Sequence, residues 1–137
     1  MTSRFLLDTD MLSQLIRAPQ GAVARRLVAA GEGNVFTSAV VACELRYGAR
    51  KKGSQGLTER VEQLLASLEV AALEPGVDRV YAEIRCALES EGRPIGASDL
   101  LIAAHALEQE AVLVSGNVGE FRRVKGLEVQ DWLGVAV

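Results

Sequence analysis

The chain has 137 residues, with 15 Lys and Arg against 18 Asp and Glu, for a net charge of −3. That length predicts a single domain over residues 1–137 around one core. Hydrophobic residues at 49% can fill that core, and aromatics at 4% leave its packing to Leu, Val and Ala. The acidic balance argues against binding nucleic acid by bulk electrostatics, but leaves room for a local basic rim around an acidic site or for a cationic partner.

Apolar runs alternate with helical patterns along the chain. Residues 4–8 read as a short buried strand. A helix follows over 10–17 with Leu12, Leu15 and Ile16 on one face, and a second over 22–30, ended by Gly31 and Gly33. Residues 35–37 read as a strand, 39–51 as a helix closed by Gly53, and 57–68 as another helix. A short strand is expected over 70–73, then a helix over 77–90 with Val80, Ile84, Ala87 and Leu88 inward. Ser98 is a candidate N-cap for a helix over 99–109. A strand over 111–115, a turn with a short helical piece over 116–121, and a last strand over 127–129 complete the pattern, with Trp132 covering the edge of the core. Strands alternating with helices predict an α/β fold with a mostly parallel central sheet and helices on both faces.

Cys43 and Cys86 fall inside predicted helices, with no CxxC pair and no Cys/His cluster. A zinc site is therefore not expected, and free buried thiols in a reducing compartment are. No apolar run reaches the roughly 18 residues of a membrane span and no signal peptide is visible, so a cytoplasmic protein without membrane contact is expected.

Asp8, Glu44, Asp99 and Asn117 stand out against this pattern. Asp8 closes the apolar run Phe5-Leu6-Leu7, and Asn117 follows the last long apolar run by three residues. Open α/β sheets bind ligands outside the carboxyl ends of their strands, where both residues fall. Asp99 lies in the first turn of its helix, where free N–H groups favour an anion. Glu44 reaches inward from an apolar helix. Each has an ordinary reading alone, as a turn, cap, dipole or ion-pair residue. Together, beside apolar segments, such acids are costly to bury unless a divalent cation binds them. Oxygen donors of this kind suit Mg²⁺ or Mn²⁺, and the chemistry is then phosphoryl transfer by metal-activated water.

The same residues carry a family resemblance. Phe5 to Asp10, Glu44-Leu45-Arg46-Tyr47-Gly48-Ala49, Pro94 to Leu107, and Val114 to Asn117 with Glu120-Phe121 and Asp131-Trp132 resemble, in order, the motifs of PIN-domain ribonucleases of the VapC type. The similarity runs over essentially the whole chain. It implies a three-layer PIN-like fold and a metal-dependent endoribonuclease cutting single-stranded or loop RNA. It also implies a toxin that pairs with a cognate antitoxin protein and forms a homodimer. Carried over, Asp8, Glu44 and Asp99 are the metal-binding acids, and Asn117 falls where many relatives have a fourth Asp. Asp10 stands where Asn is usual, Ser98 where Asn is frequent, Ser115 for the usual Thr, and Gly116 where a polar residue is common. A non-catalytic PIN-like RNA-binding or interaction domain is the alternative, with neutral Asn117 as its main support.

Among basic residues, Arg46, Arg50 and Arg93 are candidates for RNA contact, Arg46 foremost. Tyr47 and Gly48 are expected to serve packing. His105 lies about 600° round the helix from Asp99, so a structural histidine is expected rather than a general base.

Overall fold

The structure, a computed structural model, describes residues 3–133. Five strands form one parallel sheet: β1 (Phe5–Leu7), β2 (Val35–Ser38), β3 (Glu69–Ala71), β4 (Val112–Val114) and β5 (Val129–Gln130), in the order β3-β2-β1-β4-β5. Helices α1 (Thr9–Arg17) and α2 (Ala22–Ala30) connect β1 to β2, and α3 (Ala39–Lys52) and α4 (Gln55–Ser67) connect β2 to β3. Helices α5 (Val77–Ser90) and α6 (Ala97–Glu108) lead to β4, and the one-turn α7 (Val118–Phe121) precedes β5. With this strand order, the right-handed crossover rule puts the helices after β1 and β2 on one face of the sheet and those after β3 on the other, the expected three-layer α/β arrangement.

The centre of the sheet reads as continuous apolar chain because it is covered on both faces. Leu6, Leu7, Phe36, Leu113 and Val114 are buried, together with Met11 and Leu12 from α1 and Ile102 and Ala103 from α6. Each large side chain so covered contributes about 1.5–3 kcal/mol. Trp132 is buried at the sheet edge with its ring 5.4 Å from that of Phe5, as expected for a residue closing the core.

Local chemistry sets the element ends. Ser38 caps α3 by accepting from the Val40 N–H at 3.1 Å, and Ser54 caps α4 by accepting from the Leu57 N–H at 3.2 Å. Arg50, Lys51 and Lys52 fill the last turn of α3, where the helix dipole favours cations, and Gly53 ends it in the left-handed region at φ +68°.

Several expectations are corrected. Helix α6 begins at Ala97 rather than Asp99, with Gly96 at its N-cap and no side-chain cap, so Ser98 lies inside the first turn. Both cysteines are exposed, because they lie on the outer faces of α3 and α5 beside the inward positions. Ala87 is exposed, and Val80 and Ile84 are only partly buried. Tyr47 is 65% exposed, and a Cβ added at Gly48 would meet nothing within 4 Å, so neither residue serves close packing. By contrast, the shared inward face expected of α1 is observed, with Leu12 in the core and Leu15 and Ile16 packed partly buried against it.

His105 is fully buried, with Nδ1 2.8 Å from the Ser38 Oγ, so one serine hydroxyl both caps α3 and meets α6. Burial holds the imidazole below its ordinary pKa, against the opposing pull of Glu108, the Ala72 backbone and Glu74. The structural role expected of this residue is the one observed.

Candidate active site

The strand order reverses direction between β1 and β4, and this switch point opens a crevice at the carboxyl edge of the sheet. Asp8 sits there at the end of β1, its N–H bonded to the Val114 carbonyl at 2.9 Å. Its carboxylate accepts from the Thr9 N–H at 2.6 Å and from the Ser115 hydroxyl at 2.8 Å. Burial pushes its pKa up, the bonds from Thr9 and Ser115 pull it down, and the charges of Asp10 and Glu44 push it up again. The Ser115 hydroxyl is fully buried and also accepts from the Asn117 N–H at 3.0 Å.

Glu44, partly buried on α3, accepts from the Thr9 hydroxyl and so joins α3 to the start of α1. Asp99, in the first turn of α6, is pushed up to about 7. Desolvation is the largest cause, followed by a hydrogen bond shared with Glu120 and that residue's charge, then the charges of Asp8 and Glu44. Glu120 in turn accepts from the Asn117 side-chain amide. Asp8, Glu44, Asp99 and Asn117 all line one open cleft of about 420 Å³, with Asp10 and Arg17 beside them. Four segments far apart in sequence therefore deliver the four predicted residues to one place.

Two departures noted in the sequence turn out to be one contact. Asp10 accepts from the Gly116 N–H at 2.8 Å and from the Met11 N–H at 3.0 Å. A Cβ at position 116 would collide with the Asp10 carboxylate. Asp10 thus ties the β1–α1 corner to the β4–α7 turn, and Gly116 makes room for it.

The basic candidates behave differently. Arg46 forks onto Glu62 of α4 through two bonds of 2.8 Å, with both side chains about half exposed. Arg46, Arg50 and Arg93 are exposed, and none of them lines the cleft. Arg17, at the last turn of α1, does.

The donors at the cleft are hard oxygens, which suit Mg²⁺ or Mn²⁺. Among the described residues no three acidic side chains form a ready-made metal-binding group, and Asp8, Glu44 and Glu120 each accept from a protein donor. Burial and the nearby Glu120, Asp8 and Glu44 raise the Asp99 carboxyl, and a divalent cation bound there would supply the opposite charge and lower it. By chemistry the residues fit such an ion.

Residues 5–127 match the PIN domain family. The chain belongs to the PIN domain family. It is 32% identical to Ribonuclease VapC2 of Rickettsia felis over 93% of this chain and 97% of that protein. It is 33% identical to the tRNA(fMet)-specific endonuclease VapC of Shigella flexneri over 94% of this chain and 98% of that protein. The crystal structure of VapBC2 from Rickettsia felis bound to a DNA fragment from its promoter superposes with a TM-score of 0.87 at 31% identity, covering 93% of this chain and 98% of that one. The PIN-domain chain thus has the fold expected from its sequence and groups with ribonucleases of the VapC type.

Two residues of this PIN domain escaped the sequence reading as site candidates. Glu120 lies in a single helical turn with no periodicity to mark it, although it directly precedes Phe121, which is fully buried and fixes the turn. Arg17 ends the helical pattern of α1 with nothing in the sequence to mark it, and only the packing of α1 shows that it borders the cleft.

Proposed function

We propose that the chain is a metal-dependent endoribonuclease, the toxin of a toxin–antitoxin pair, that hydrolyses phosphodiester bonds of single-stranded or loop RNA. The single observation that carries this is that Asp8, Glu44 and Asp99 line one cleft at the switch point, where burial and neighbouring carboxylates push Asp99 up to about 7. Asp8 is the central ligand, held by Thr9 and Ser115, with Asp99 and Glu44 flanking it. Glu120, oriented by Asn117, supplies the fourth acid from the β4 side. A bound Mg²⁺ or Mn²⁺ supplies Lewis acidity toward water and toward the phosphate oxygens. The protein's own part is to fix the carboxylates at the sheet edge and leave the cleft open to a polymer.

We take the partner to be a cognate antitoxin protein, because the Rickettsia structure is of VapBC2, and we propose the homodimer from the family resemblance alone. Among the described residues no helix is long and apolar enough to cross a membrane, and we take the protein to act in the cytoplasm, where its RNA is.

The test is incubation of partner-free protein with a single-stranded RNA pool, with Mg²⁺ or Mn²⁺ and with EDTA, alongside Asp8→Asn and Asp99→Asn. Metal-dependent cutting that both variants lose supports the assignment. Metal binding with RNA retention and no cutting by folded wild type would instead mark a non-catalytic RNA-binding domain.

A further inference from the structure

A second depression adjoins the acidic cleft. It is a groove of about 280 Å³ between α1, α3 and α4, and it shares Thr9, Ser13, Arg17 and Glu44 with the cleft. Two helices line it in register with their own periods. On α1, Thr9, Ser13 and Arg17 recur every four residues; on α3, Glu44, Gly48 and Lys52 do the same. Residues four apart lie on one helix face, so each helix presents a stripe that runs from an acid-bound end, through a small residue, to a cation. Glu44 to Lys52 spans about 12 Å of axis.

The stripe changes character along its length in a way that suits one kind of occupant. At one end, Thr9 and Glu44 bond to each other beside the carboxylates. In the middle, Gly48 leaves open space above an apolar floor that includes Leu45, Leu57 and Ile16. At the far end, Arg17 and Lys52 form no ion pair among the described residues, whereas Arg46 on the outer side of α3 is committed to Glu62. An anionic group near two uncommitted cations, joined to a flat apolar group over the floor, is the chemistry of a nucleotide.

We propose that this groove is a substrate subsite: it takes an unstacked nucleobase next to the scissile phosphate, with a flanking phosphate at Arg17 and Lys52 and Gly48 keeping the floor open. The proposal rests on the nuclease assignment above and deepens it. Ser13 is the one neutral hydroxyl midway along the α1 stripe, so the base edge meets few polar groups and the subsite gives a mild preference rather than strict readout. Arg17 and Lys52 take the place of Arg46 and Arg50 as the cations that follow the strand.

Gly48→Leu tests it. Leu is a better helix former than Gly and the added Cβ meets nothing within 4 Å, so the variant is expected to fold, which its melting temperature checks. Gly56→Leu, on exposed α4 chain outside the groove, is the matched control. Wild type, both variants, Arg17→Ala and Lys52→Ala are assayed on the RNA pool with Mn²⁺, reading cut positions by sequencing and kcat and KM on one preferred oligonucleotide. Cutting by wild type and the control establishes the nuclease independently of the groove. Given that, Gly48→Leu is expected to raise KM about tenfold or more and flatten the base preference beside the cut, with the Mn²⁺-induced thermal shift retained. Arg17→Ala and Lys52→Ala are expected to weaken binding on all sequences alike and to lower the salt slope by about one each. Unchanged KM and unchanged cut positions in Gly48→Leu would overturn the proposal. If the same variant then escaped inhibition by a co-expressed partner protein, the groove would be a protein docking site instead.

Discussion

Helix α6 carries two ionisable side chains that the protein treats in opposite ways. His105, near its end, is fully buried and bonded to Ser38, a partner the fold itself supplies. Asp99, in its first turn, is only partly buried, yet it faces Glu120, Asp8 and Glu44 and keeps a proton up to about pH 7. Burial is therefore a poor guide to function on this helix. What distinguishes Asp99 is that burial and neighbouring carboxylates act on it together with no opposite charge beside it among the described residues, an arrangement the fold holds in place at a cost in stability.

The largest expected effect breaks the acidic end of that comparison. Asp99→Asn should lower cleavage by on the order of 10²–10³-fold or more, the scale of losing one electrostatic contact to a reacting centre. In EDTA the same variant should melt higher than wild type, since it removes a charge repelled by three neighbours. Denaturation in EDTA beside single-turnover cleavage in Mn²⁺ checks both. A variant that lost activity and melted lower would mean that Asp99 is a structural residue. Wild type should gain melting temperature from Mn²⁺, and Asp99→Asn should gain less, through mass action on the folded state.

The buried end should give the reverse pattern. His105→Leu removes the partner of Ser38 and misfits the space between α6 and β2, and should cost roughly 2–4 kcal/mol in urea unfolding. Cleavage per folded molecule should stay near that of wild type. A loss of kcat at full folding would show that the comparison is drawn wrongly and that His105 acts in the reaction.

The two ends should also separate by pH, with opposite signs. The His105 value lies below 6.5, so its contribution to stability is complete above pH 6.5 and is lost as pH falls through the folded value. Asp99 is raised from 3.8 to about 7, so the folded state binds its proton more tightly, and stability falls as pH rises from about 4 to about 7. Unfolding curves in EDTA across pH 5–8 should show the gap between wild type and His105→Leu shrinking toward acid. The advantage of Asp99→Asn over wild type should grow toward pH 7. Parallel curves for all three proteins would refute both assignments.

Much of this was legible in the sequence. Strands and long helices announce themselves by apolar runs and by the 3.6-residue period, and the structure places them within two or three residues of expectation. Asp8, Glu44 and Asp99 could be found because each interrupts or borders such a run. Glu120 has no such mark, since a single turn has no period, and it enters the sequence reading only as part of a family motif with no role assigned. The cysteines and Tyr47 were misplaced because an apolar residue within a helical pattern carries no label for the face it takes. Gly48 was read as a packing glycine, but the space above it depends on where α1 and α4 lie, which no local pattern records.

The smallest expected effect concerns Arg46, the foremost RNA candidate in the sequence. Its guanidinium is forked onto Glu62 at the surface, so it resembles His105 in having a partner that the fold supplies, although it stands in solvent as Asp99 partly does. Exposed ion pairs add little to stability, because solvent screens them and both side chains lose freedom. Arg46→Ala should therefore leave the melting temperature and the cleavage rate close to wild type, and Glu62→Gln should do the same. The pair of variants decides more than either alone. If Arg46 contacts RNA, freeing it from Glu62 should tighten substrate binding and steepen the salt dependence, while Arg46→Ala weakens binding. If the fork is only a strut between α3 and α4, both variants move together and the salt slope stays fixed. The second outcome is expected, because the cations that border the acidic cleft and its groove are Arg17 and Lys52, while the Arg46 charge is already met on the far side of the helix.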